Sequence, residues 1–174
     1  MRILTAAASL AASLALTTTA FAAETPPEVA ATIGIKASSQ WTATTDKAAA
    51  TPEQQAVLKK GKPASVTGEV IDVSCFLQMG KRGEKHIACG TKCIQNGQPI
   101  GIVDDKGLVY VLFAEAHDPR RDGQADLKAT FLPYLAKRVT VNGMVEESKG
   151  TRALYVDSSA LTTTTVTAPP AAKP

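Results

Sequence analysis

The chain has 174 residues, 19 of them basic and 16 acidic, for a formal net charge of +3. So even a balance makes no electrostatic case for binding nucleic acid or an acidic membrane surface. Three cysteines and two histidines are the scarce reactive side chains, so their positions are the first place to look for chemistry.

The opening MRILTAAASLAASLALTTTAFAAE has a basic residue, Arg2, then an apolar Ala/Leu stretch, then the small-x-small pattern Ala20-Phe21-Ala22. That order is expected of a secretory signal over residues 1–23, cut near Ala22 or Ala23. Thr17 to Thr19 interrupt the apolar run, which disfavours a membrane-spanning helix. The expected product is an exported soluble protein, periplasmic in a Gram-negative source. Such a compartment oxidises paired thiols, and three cysteines cannot all pair within one chain.

Residues 24–61 are rich in Ala, Thr and Pro and lack a sustained apolar period, so they read as a linker. Trp41 stands alone there, available to dock on the domain or on a partner. TPEQQAVLKK, 51–60, has a Thr cap, a proline in the first turn and Gly61 as a stop, which predicts a short helix. A low-complexity, disordered tail is expected over residues 161–174.

The domain is expected over residues 62–160. SVTGEVIDVSC suits a long strand that ends at Cys75. PIGIVDD and GLVYVLFAE are two apolar runs joined by a polar turn, the pattern of a hairpin. ADLKATFLPYLAKR spaces Leu127, Phe131 and Leu135 at helical intervals, with Pro133 predicting a kink or a late start. RVTVNGMVEE and TRALYVDSSA close the domain as a last pair of strands.

Strand, insert, strand, strand, helix, strand, strand resembles the order of an OB-like barrel: five strands, with one helix between the third and fourth. The TGEVIDV opening and the VTVNGMVEE and LYVDSSA closing are similar to exported bacterial OB-fold-like proteins of little-characterised function. The resemblance implies a mainly β fold with a helical Cys/His insert between the first and second strands, and it brings no established activity. Nucleic-acid-binding barrels offer aromatic platforms in a basic groove. Tyr110, Phe113 and Tyr155 fit a core or half-buried place better.

All three cysteines and one histidine fall in CFLQMGKRGEKHIACGTKC, residues 75–93. KHIACGTKCIQNG reads as one helix ending at Asn96-Gly97. At about 100° per residue, His86, Cys89 and Cys93 then lie within about 60° of one another on one face. Cys75 can close over that face after the turns permitted by Gly80 and Gly83. Cys75, His86, Cys89 and Cys93 make a three-thiol, one-imidazole ligand set suited to Zn²⁺ and soft enough for Cu⁺. Met79 offers an additional thioether, although a packing role fits a methionine better.

The C-x3-C pair with its histidine resembles the ligand set of copper chaperones for cytochrome oxidase assembly. Those proteins have a thioredoxin fold whose pattern is missing from this chain. What carries over is ligand chemistry for His86, Cys89 and Cys93, and with it a metal-accepting protein as a partner.

Two other readings stay open. A bond from Cys75 to Cys89 or Cys93 would staple the insert in a non-metal binding or interaction module, and closing a loop of roughly 15 to 19 residues contributes about 3 kcal/mol. A thiol-redox protein would need a cysteine of lowered pKa, for which Cys89 is the better candidate. His117, in EAHDPRRDGQAD, reads as part of a solvated loop. No nucleophile elbow, P-loop or dinucleotide fingerprint is present, and no constellation supports a hydrolase or transferase.

Overall fold

The computed structural model describes residues 27–34, 41–115, 126–157, 159 and 161. The expected signal peptide, the loop carrying His117 and the tail after Leu161 lie outside the described residues.

Five strands form where β-branched residues alternate or run together, as a pleated surface favours. They are β2 (Lys62–Asp72), β3 (Ile100–Asp104), β4 (Val109–Glu115), β5 (Arg138–Ser148) and β6 (Thr151–Asp157), and a short β1 (Ala31–Ile33) precedes them. β2 pairs antiparallel with both β3 and β5, and β3 pairs antiparallel with β4. β4 then runs parallel to β6, which pairs antiparallel with β5. The circuit closes into a mixed five-stranded barrel, so the fold is mainly β and those strands share no open edge. β1 adds to β5 in parallel. At Gly143 β5 passes so close to β6 that a Cβ would run into the Tyr155 carbonyl, so only glycine fits there.

The barrel core is filled by Val70, Ile102, Val139, Val141, Leu154 and Val156, and by Phe131 of α5 (Leu127–Phe131). Asp126 starts α5 by accepting a hydrogen bond from the Lys128 backbone N–H at 2.7 Å. The helix expected across ADLKATFLPYLAKR is shorter than its spacing suggests. It passes at Leu132–Tyr134 into a 3-10 turn that contains Pro133, and Ala136 takes a left-handed φ of 64°.

The segment read as a linker holds β1 and two helices, α1 (Ala43–Ala48) and α2 (Pro52–Leu58). The expected Thr51 cap forms a reciprocal capping box with Gln54. Trp41 docks on the barrel: its Nε1 donates to the Leu58 carbonyl at 2.8 Å, and its ring meets Tyr155 edge-on at 5.4 Å. The Thr42 backbone N–H and the Thr45 hydroxyl both donate to Glu115 Oε1, at 2.7 and 2.9 Å. Their partners lie far along the chain, so no local period could announce them.

β2 and β3 stay paired as far as Asp72 and Ile100. Residues 73–99 leave and return at that point, pinned by the Val73 N–H bonded to the Pro99 carbonyl at 3.0 Å. The insert consists of α3 (Val73–Met79), a 3-10 turn (Glu84–His86) and α4 (Ile87–Gln95). Phe76 of α3 packs over Ile71, Val73 and Val103, and α4 sinks Ile94 into the barrel core.

Candidate metal centre

The strand expected to run through Cys75 ends three residues earlier. Asp72 Oδ1 accepts from the backbone N–H groups of Ser74 and Cys75, at 3.0 and 3.4 Å, and so caps α3. Two donors left bare at the helix start are thereby satisfied, and the chain turns from strand to helix at Val73. Cys75 is therefore a first-turn helical residue, buried against the insert. α3 stops at Gly80, whose φ of 65° is left-handed.

The return to α4 is held by Glu69. Its Oε1 accepts from the Gly83 N–H at 2.6 Å, and its Oε2 lies 3.5 Å from Arg82 Nε. His86 falls in the 3-10 turn ahead of α4 and is buried. Gly90 makes room for it: a Cβ there would lie 3.1 Å from Leu135 Cδ2 and 3.4 Å from His86 Nε2. The helix predicted over this stretch is present, with its first turn tightened.

All three cysteines are free thiols: Cys75 buried, Cys93 half-buried and Cys89 exposed. The four residues expected to act together fall in two neighbouring donor groups that share Cys75. One group of donor atoms within 4.8 Å of each other comprises Cys75, His86 and Cys89, and a second comprises Asp72, Cys75 and Cys93. Together these five side chains lie close enough to hold a metal ion. Met79 lies at the end of α3, 55% exposed.

Asp72 is the member that sequence reasoning missed. One signal was available, since an Asp three residues before a Cys at the end of an apolar run is a helix-cap pattern. While Oδ1 caps the helix, Oδ2 lies 3.8 Å from His86 Nε2. Both atoms are buried, and neither has a hydrogen-bond partner among the described residues. Leaving such groups unsatisfied is costly, about 1–3 kcal/mol each and more for a charge.

Cys75 Sγ and Cys93 Sγ are 3.9 Å apart. Two thiolates on one tetrahedral Zn²⁺, with bonds of about 2.3 Å, sit about 3.8 Å apart. A disulfide requires about 2.05 Å. The observed separation matches the edge of a metal tetrahedron, although a small movement would close the bond.

The neighbouring Asp72 carboxylate holds the Cys75 thiol proton, and burial adds to the effect, so its pKa is pushed up to about 12. Burial likewise raises Cys93. Both thiols therefore hold their protons tightly, the opposite of what nucleophilic redox chemistry requires. A bound cation reverses this logic, because a coordinating thiol is deprotonated outright.

Comparison of the chain with known protein families, with curated proteins and with solved structures finds no match.

Proposed function

We propose that this is an exported, OB-like barrel protein that binds one transition-metal ion in its helical insert. Cys75, His86, Cys89 and Cys93 serve as ligands, with Asp72 as a fifth donor at the base of the site. The observation that carries the reading is the buried pair Asp72 Oδ2 and His86 Nε2, 3.8 Å apart and without hydrogen bonds among the described residues, beside two thiols. A cation between them would satisfy both atoms at once. The barrel circuit, with a parallel third-to-fifth strand pair, supports the OB assignment.

The donor set favours Zn²⁺, which accepts thiolate, imidazole and carboxylate together. Cu⁺ would use the thiols and leave the carboxylate aside. With four protein ligands the ion has no open position for water, which points to a held or transferred ion rather than to hydrolytic catalysis.

A disulfide-held module is the second reading, favoured by the 3.9 Å approach of Cys75 to Cys93. Elemental analysis with thiol counting separates the two. One equivalent of metal with three thiols released on denaturation is the expected result. Absence of metal together with a single free thiol would sink the metal reading.

A further inference from the structure

The five donors around Cys75 outnumber the four positions of a tetrahedral ion, so one ligand is always in surplus. Exposure singles out which. Cys75, His86 and Asp72 are buried and Cys93 is half-buried, whereas Cys89 faces solvent. In the same insert, Leu77 is 68% exposed, Met79 55% and Ile87 39%. Leu77 and Met79 lie on the last turn of α3, and Ile87 starts α4. Lys81, Lys85 and Lys92 of the insert are exposed as well, and Glu84 is the one acidic residue between positions 77 and 92.

Resting on the metal reading above, we propose that the ion is handed over through Cys89 to an acidic, cysteine-bearing protein that docks on this α3–α4 face. The step is a ligand exchange without change of oxidation state. The acceptor thiol binds the metal as its metal–sulfur bond forms, the bond to Cys89 breaks, and the acceptor's proton passes to the Cys89 sulfur. Three of Asp72, Cys75, His86 and Cys93 complete the four-coordination beside the acceptor thiolate until the acceptor's second thiol arrives and displaces one of them. The basic rim selects an acidic partner by charge complementarity. It also argues against a second copy of the same chain, whose matching face would be basic too.

The test uses the zinc-loaded full chain and a synthetic peptide carrying a Cys-x-x-Cys pair flanked by acidic residues, with a lysine-flanked version as control. Zinc should reach the acidic peptide at a rate proportional to peptide concentration. It should do so about tenfold faster than the lysine version at low ionic strength, with the gap closing as salt rises. Cys89→Ser, compared with the wild type at equal zinc loading, should transfer its zinc at least about tenfold more slowly. Leu77→Ser with Met79→Ser, both at exposed positions, should slow transfer while leaving zinc affinity unchanged.

A rate independent of peptide concentration, equal rates for the two peptides, or loss of all zinc from Cys89→Ser would each overturn the proposal. So would preferential binding of this face to phosphatidylglycerol vesicles with no response to the acidic peptide. A wild-type chain that takes up no zinc would overturn the metal reading itself, and this proposal with it.

Discussion

Asp72 and His86 face one another across 3.8 Å at the base of the insert, each with a buried polar atom that no hydrogen bond among the described residues reaches. Asp72 also caps α3 through its other oxygen, so two substitutions should separate its two roles. Asp72→Asn keeps an oxygen for the cap and removes the charge. It should lower zinc affinity by about 10- to 100-fold, on the scale seen when groups supporting a metal site are changed, and leave the apo melting temperature nearly unchanged. Asp72→Ala should lose the affinity and, in addition, about 1 kcal/mol of apo stability from the missing cap. Zinc competition titrations paired with thermal melts of the apo chain would check both.

Alkaline pH should act on the apo protein through Cys75. Its folded-state pKa, about 12, lies above the ordinary thiol value of 9.0. The folded state therefore holds this proton more tightly than the unfolded chain does. The associated stability is complete below pH 9 and drains away as pH climbs toward 12. Denaturant unfolding of the apo chain across that window should show the decline, and Cys75→Ser should flatten it. Zinc affinity should respond in the opposite direction, strengthening as pH rises, because binding displaces thiol protons.

Much of the barrel was legible in the sequence because its signals are local. Alternation in β2, the turn at Asp104–Gly107 and the closing pair β5 and β6 each declare themselves within a dozen residues. The insert was legible as a ligand cluster for the same reason, with helical spacing from His86 to Cys93. What stayed hidden depends on distant contacts. The docking of Trp41 requires Tyr155, and the place of Thr45 requires Glu115. Asp72 was hidden differently. In an alternating apolar run it reads as a solvent-facing strand residue, and only the end of the strand turns it into a cap and a donor.

Gly90 offers a steric test of the site. A side chain there would press on Leu135 and on the His86 ring. Gly90→Val should cost about 1–3 kcal/mol, as overpacking does. It should also weaken zinc binding more than an overpacked site remote from the insert does, because His86 must shift to accommodate it. Calorimetric zinc titration beside urea unfolding would check the pair of effects.

Trp41→Ala supplies the contrasting case. The ring is half-buried between the Leu58 carbonyl and Tyr155. Its removal should cost roughly 2 kcal/mol, below the range for a fully buried aromatic. Zinc stoichiometry and affinity should stay as in the wild type, since none of the five donors touches this arm. Urea unfolding with metal analysis on the same sample gives both answers.

Cys93 and Ile94 are neighbours in α4, one in the thiol cluster and the next wholly inside the barrel core. The barrel therefore cannot come apart without dragging a ligand out of place. On the proposed metal reading, occupancy of the centre is written into the melting of the whole domain: free ion at a hundred times its dissociation constant would add about 2.7 kcal/mol to the folded state. On the same reading, a cell that starves this protein of metal would find it cleared more readily by proteases, and its abundance would become a record of metal supply.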